Sequence, residues 1–242
     1  MNTRRISDLM GMRARGIKLD LSSNKISEKT YFDPSDATCS FNDRVFFLSQ
    51  KMPILEYSLN SQMLVDSINF HTCCQSIENC LSIKCDSPVK DSICQIFDKS
   101  YKAYTLGLRF NGTRQIIAES IYYYPTVWKG NRFGISGLTD HDEIMKQSTR
   151  FANILILGQQ TRQFLFSLSE AAYKFKGVCI TTSQSGAISY KLYFRIDAIR
   201  LKEFFSRLYD FDKYNCLYGD VVLIALRLSS GVVSGLNFYY SR

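Results

Sequence analysis

Two short stretches hold the residue types from which catalytic or metal sites are usually built. The first is Asp140-His141-Asp142-Glu143, three carboxylates and an imidazole in a row. A divalent metal needs ligands that converge on one point, and four consecutive residues at a helix start project in different directions. The same residue types suit a helix N-terminus. Thr139-x-x-Asp142 and Asp140-x-x-Glu143 both fit the capping box, and acids there face the positive end of the helix dipole, each contributing roughly 0.3–1 kcal/mol. The stretch therefore reads as a strand-to-helix junction, and no metal site is assigned to it. The second set is His71, Cys73, Cys74, Cys80 and Cys85, which has the content of a zinc site or of a Cys–His nucleophilic pair. It has no Cys-x-x-Cys pair, and adjacent cysteines share a tetrahedral site poorly. With two histidines in the whole chain, His-based acid–base chemistry has few players. Reduced, mostly buried thiols are expected for the eight cysteines, including Cys94. "GNRFGISG" at 130–137 has the glycines of a phosphate loop but lacks the lysine and helix at the required spacing. No catalytic residue emerges, no cofactor can be named, and the chain is expected not to be an enzyme.

Charge and aromatic content point to binding instead. The net charge is +8 over 242 residues. From Arg150 onward Lys and Arg outnumber Asp and Glu two to one. Such a balance suits nucleic acid or an acidic membrane face, although the excess is spread out and forms no polybasic block. Lys191, Arg195, Arg200, Lys202 and Arg207 form the candidate DNA-contacting set, acting on phosphates. Tyr122, Tyr124 and Trp128, on one strand pair, are the candidate lining of a ligand pocket. The longest apolar cluster, "ANILILG" at 152–158, is too short to span a bilayer. The basic N-terminus lacks the apolar stretch of a signal peptide. A cytoplasmic location with no membrane partner is expected.

The elements that must position these residues can be read one at a time. Residues 1–43 are polar, basic and broken by Gly11 and Gly16, and read as an arm and loop. "RVFFLSQ" and "PILEYSLNSQMLVDSINF" hold short apolar runs divided at "SLNSQ", which suits two strands around a turn. "SPVKDSICQIFDKSYKAY" sets Val89, Ile93, Ile96 and Phe97 at helical spacing behind a Ser87-Pro88 start. "TLGLRF" and "TRQIIAESIYYY" meet at Asn-Gly, a strong hairpin signal. "IYYYPTVW" and "FGISGL" make a further pair, with Pro125 at an edge or bulge. Residues 141–176 are helical, divided near Gly158.

Beyond 176, "GVCITT-SQSG-AISYKLYFRI" puts Ile188, Tyr190, Leu192, Phe194 and Ile196 on one face and Ser189, Lys191, Tyr193 and Arg195 on the other, the period of a hairpin. Residues 167–192 also have the rhythm of a helix-turn-helix, opposed by Gly186 and by that clean alternation. "DAIRLKEFFSRLYDF" is a helix capped at Asp197, and "DVVLIALRL-SSG-VVSGLNFYY" is a closing hairpin.

Over about 45–145, the order of two strands, a helical middle and a three-stranded meander resembles the PAS sensory domain of bacterial regulators and histidine kinases. In that family a glycine-rich last strand runs through Asp-Ile-Thr into an output helix. "NRFGISGLTDHDEIMKQ" occupies the matching place, with Leu138-Thr139-Asp140 where the triad stands. The resemblance implies a sensing or dimerising receiver. The expected fold class is α+β: a PAS-like antiparallel sheet domain at 44–140, a connecting helix or helix pair at 141–176, and a second, basic α+β unit with two hairpins at 177–242, all preceded by the arm at 1–43. The expected function is a homodimeric transcription regulator that responds to a small-molecule ligand or a partner and contacts DNA. The alternative is a non-enzymatic protein-binding adaptor, chaperone-like dimer or exported effector.

Overall fold

Turn chemistry sets the architecture. In the computed structural model, which describes residues 12–23, 25–32, 43–50, 52, 54–60, 62, 64–71, 101–129, 132–135, 137–208 and 221–241, five hairpins succeed one another. They are β1 (Met12–Asp20) with β2 (Lys25–Phe32), β3 (Ile54–Leu59) with β4 (Val65–His71), β5 (Tyr101–Phe110) with β6 (Ile116–Lys129), β8 (Lys174–Ser183) with β9 (Ile188–Arg195), and β10 (Val221–Ser229) with β11 (Val232–Ser241). A short polar side chain holds each of the first four turns. Asp20 Oδ1 accepts from the amides of Ser22 and Ser23. Asn60 Oδ1 accepts from Gln62 and Leu64, Asn111 Oδ1 from Thr113 and Gln115, and Ser183 Oγ from Ala187. Asx and Ser side chains favour turns by this local bonding. The fifth turn puts Ser230 and Gly231 at φ 51° and 76°, the double positive φ that hairpin twist favours.

Every neighbouring pair in the sheet is antiparallel, in the order β5-β4-β3-β2-β1-β11-β10-β9-β8-β6, and β5 pairs with β6 to close the ring. The result is a closed ten-strand barrel with all five tight turns at one end. A short strand β7 (Arg132–Ile135) adds only to the far stretch of β6, Thr126–Lys129. Helices α1 (Asp43–Ser49), α2 (His141–Ile154), α3 (Gln159–Ala171) and α4 (Ala198–Leu208) lie between hairpins in the sequence.

This overturns the α+β expectation of a PAS-like sheet domain followed by a separate unit with two hairpins. β6 and β8, on either side of the Asp140 junction, are paired from Ala118↔Ser183 to Tyr123↔Val178. β1, within the stretch read as a polar arm, pairs along its length with β11. One sheet runs through both halves. The other four hairpins and the helices α2, α3 and α4 fall where the periodicity puts them, but β8 already begins at Lys174, inside the stretch expected to be helical, and "RVFFLSQ" forms α1. The segment 167–192 is the end of α3 followed by the β8–β9 hairpin. The expected helix over 87–100 lies outside the described residues.

Alternation decides which face is dry. On β9, Tyr190, Leu192 and Phe194 are buried in the apolar core, as are Ile224, Leu226 and Leu228 on β10 and Leu236 and Phe238 on β11. The helices cover this outer face with Ile144 and Phe151, Phe164, Leu165 and Leu168, and Leu201, Phe204 and Phe205. Ring contacts tie the layers together: Phe151–Phe175 at 5.9 Å, Phe175–Phe194 at 5.3 Å and Phe205–Phe238 at 5.7 Å. Burying each large apolar side chain contributes roughly 1.5–3 kcal/mol. The core therefore lies outside the barrel, and the second face of each strand is left for the lumen.

The Asp140 stretch has a local job. Asp140 is the N-cap of α2, its Oδ1 accepting from the Glu143 amide at 2.9 Å, while Glu143 Oε1 accepts from Gln147 Nε2 at 2.9 Å. Asp140→Ala is expected to cost about 1 kcal/mol, seen as a lower urea midpoint with an unchanged slope. Among the described residues no helix is long and apolar enough to cross a membrane.

Candidate functional site

The inward faces enclose a cavity of about 680 Å³, within the range of small-molecule sites. Its middle is an arc of tyrosines. Tyr31 on β2 meets Tyr239 on β11 with ring centroids 5.7 Å apart, Tyr239 meets Tyr193 on β9 at 6.2 Å, and Tyr193 meets Tyr122 on β6 at 6.1 Å. Between these strands the sequence supplies small residues. Gly16 on β1 is opposite Tyr239, Ala225 on β10 opposite Tyr193, and Cys179 on β8 opposite Tyr122. Large and small side chains thus alternate around the wall, as a narrow barrel requires. At Gly16 the need is strict, because a Cβ there would lie 2.8 Å from Tyr31 Cε2. Burial pushes the Tyr31, Tyr122 and Tyr193 hydroxyls well above the usual phenol range and Tyr124 to about 12. These tyrosines are neutral hydrogen-bonding groups at physiological pH.

Toward the end with the tight turns, the lining becomes cationic. Lys18, Lys29, Arg109, Lys191 and Arg227 come from five different strands to line this part of the cavity. Asp66 on β4 is ion-paired with Lys29 and lies 3.9 Å from Arg109. Asp20 lies 3.9 Å from Arg227, and hydrogen bonds from Ser22 and Ser23 hold its carboxyl down at about 2. Arg227 is anchored by Nη2, which donates to the Leu19 carbonyl at 2.9 Å and to that of Ser234 at 3.4 Å. Its Nε has no partner among the described residues. Burial, then the Arg227 and Arg109 charges, lowers the Lys18 ammonium. Burial lowers Lys29 to about 8, opposed by Asp66 and helped by Arg109 and Lys191. The five cations face two carboxylates, an excess of three positive charges at this end, and Lys18 and Lys191 have no described ion pair; Glu56 also lines the cavity, on its aromatic side.

The residues expected to act together are divided by the fold. Tyr122 and Tyr124 line the cavity. Trp128 sits where β6 runs on to pair with β7, and its side chain lies outside the described residues. Lys191 and Arg195 line the lumen. Arg200 and Lys202 are exposed on α4, where Arg200 pairs with Asp197 at 3.5 Å, and the Arg207 side chain lies outside the described residues. Of the four whose side chains are described, two are thus on β9 and two on α4. His71 ends β4, while Cys73, Cys74, Cys80, Cys85 and Cys94 fall outside the described residues. Sequence reading missed Lys18, Lys29, Arg109, Arg227, Tyr31 and Tyr193 as cavity-lining residues. A signal was present in Lys191-x-Tyr193-x-Arg195, whose polar face is basic and aromatic where a solvated face is usually mixed and small.

No protein-family model matches the sequence, and no curated protein does. Among solved structures the chain is similar to AnaPT from Neosartorya fischeri, with a TM-score of 0.66 over 95% of this chain and 77% of that one, at 8% identity. The two share a fold. At that identity the likeness extends to the barrel and no further, so the reading of the lumen rests on its own residues.

Proposed function

We propose that the barrel binds a small organic phosphate or diphosphate ester in its lumen, the anionic head among the cations at the tight-turn end and an unsaturated or flat body along the tyrosine arc. The observation that carries this reading is the charge imbalance among Lys18, Lys29, Arg109, Lys191 and Arg227. Lys29 and Arg227 are held largely out of water, where charge is costly unless it is compensated, with Lys18 and Lys191 half-buried beside them and Arg109 exposed at the rim. A phosphate or diphosphate ester brings two to three negative charges, about what the site lacks. Arginine forks match phosphate oxygens in geometry, and lysines serve as point charges. The tyrosine faces supply large rigid contact area, and offset or tilted stacking on them contributes roughly 0.5–1.5 kcal/mol beyond area burial. A ligand-responsive protein fits this chamber. Contact with DNA finds less support, because Lys191 faces a cavity that admits a small molecule and no duplex, and Arg195 alone of the β9 pair is exposed.

Calorimetric titration of the full chain tests the proposal. Inorganic pyrophosphate is expected to bind, with affinity falling as salt rises. Dimethylallyl diphosphate, a probe with both head and unsaturated body, is expected to bind about tenfold more tightly. Arg227→Met should weaken both by roughly 1.5–3 kcal/mol, the value of a hydrogen bond to a charged group. No heat with either probe, together with salt-dependent binding of duplex DNA, would sink the lumen reading in favour of the regulator.

A further inference from the structure

We propose that Lys29 is a nucleophile that captures a phosphorylated aldehyde or ketone in the lumen as an imine. The inference rests on the phosphate-binding reading above and adds a covalent step to it. Lys29 projects from β2 into the cationic end of the cavity. Among the described residues it is the lumen lysine held directly against a carboxylate, Asp66 of β4. The charged and titratable groups around it are Lys18 of β1, Arg109 of β5, Lys191 of β9 and Arg227 of β10, with Glu56, Tyr31 and Tyr239 on the aromatic side.

Two features of this placement make an amine reactive. Removal from water and like-charged neighbours favour the free base, which is how enzymes activate lysines toward carbonyls. Burial, Arg109 and Lys191 act in that sense on Lys29 and bring it to about 8, although Asp66 pulls the other way. Meanwhile Lys18, Lys191 and Arg227 remain to hold the phosphate of an incoming molecule, which places its carbonyl beside the amine.

The step balances within the site. The Nζ lone pair forms a bond to the carbonyl carbon, and the carbonyl π pair moves to oxygen. Asp66 relays the proton released by nitrogen to that oxygen, giving a carbinolamine. Asp66, holding the proton it took from the Lys29 ammonium at the outset, gives it to the hydroxyl; the nitrogen lone pair then forms the C=N bond as the C–O bond breaks and water leaves. Ammonium and carbonyl give protonated imine and water, with no oxidant or reductant. The protonated imine keeps the charge of the ammonium, and Asp66 is again its carboxylate partner.

Pyridoxal 5′-phosphate serves as the probe, a phosphorylated aldehyde whose flat ring suits the tyrosine arc. The full chain is incubated with a small excess, reduced with borohydride, digested and mapped by mass. The expected result is a dominant adduct on Lys29, with Lys18, Lys176, Lys191 and the surface lysines largely unmodified. Labelling should quicken as pH rises through about 8, slow about tenfold with pyridoxal lacking the phosphate, and be suppressed by excess pyrophosphate. Lys29→Met should lose the adduct and, with one lumen cation removed, bind pyrophosphate more weakly; the peptide map of the unaltered chain stands alone if that variant fails to fold. Labelling spread over surface lysines, or centred on Lys18 or Lys191, overturns the assignment of Lys29 even where pyrophosphate binds. A Lys29 adduct indifferent to pyrophosphate contradicts the phosphate site itself.

Discussion

Raising the pH from 7 to 9 is expected to stabilise the protein, by about 1.4 kcal/mol from Lys29 alone. Lys29 titrates near 10.5 in an unfolded chain and near 8 in the barrel. Below pH 8 it is charged in both states, and the cost of holding that charge in the lumen is present in full. Between about 8 and 10.5 the unfolded chain binds more protons than the folded one, so stability rises with pH. The lysine side chain is 23% exposed, so solvent screens the effect only in part. Lys18, Lys176 and Arg227 are lowered in the same sense, each chiefly by burial. Many proteins are most stable between about pH 5 and 8, which makes an alkaline rise diagnostic. Urea midpoints at pH 7, 8 and 9 measure it, and Lys29→Met should flatten the curve. Pyrophosphate should stabilise the protein more at pH 7 than at pH 9, because the anion supplies at neutral pH what deprotonation supplies at alkaline pH. A flat or falling profile for the ligand-free protein would mean that the lumen cations are already compensated.

Gly235→Ala is expected to destabilise the barrel by about 3 kcal/mol and to abolish anion binding in whatever fraction remains folded. Gly235 on β11 lies opposite Arg227 of β10 and Asp20 of β1. A Cβ at this position would overlap the Arg227 guanidinium and the Leu19 carbonyl oxygen. The guanidinium can swing away, but the carbonyl belongs to the β1 backbone, so the seam between β1 and β11 must shift. Nη2 would then lose its anchor on Leu19 and Ser234. Gly158→Ala is the contrast, because nothing lies within 4 Å of a Cβ there. Circular dichroism melts and pyrophosphate titration of the two variants, side by side, separate a local clash from a general intolerance of glycine replacement.

Local structure was legible from the sequence to the extent that it depends on neighbours in the chain. The Asn-Gly turn at 111–112, the alternation from 188 to 195 and the Asp140 and Asp197 caps each rest on hydrogen bonds or side-chain periods spanning a few residues. Ring closure does not. Nothing near Met12 announces that it will stand beside the last strand, and the polar residues of β1 and β2 mimic a solvated arm. Period two says that a strand has two unlike faces, and leaves open whether the polar one meets solvent or a lumen. Lys191 and Arg195 were chosen as cations free to meet phosphate. The structure leaves that chemistry open and moves it indoors, where Lys18, Lys29, Arg109 and Arg227 join Lys191 from strands far apart in the chain. The PAS resemblance depended on element order over 45–145, and the same order of hairpins and helices serves a barrel equally well.

The β1–β11 pairing, from Ala14↔Ser241 to Asp20↔Gly235, has a consequence for how the protein is made. A ribosome releases β1 long before β11, so the ring stays open until β11 has emerged. Until then β1 and β10 each offer an unpaired edge to any other nascent chain, the kind of surface that invites aggregation. A seam of such long sequence separation is also slow to find. The chamber is therefore complete only once β11 is in place, and a chain lacking that strand would have no closed wall around the lumen.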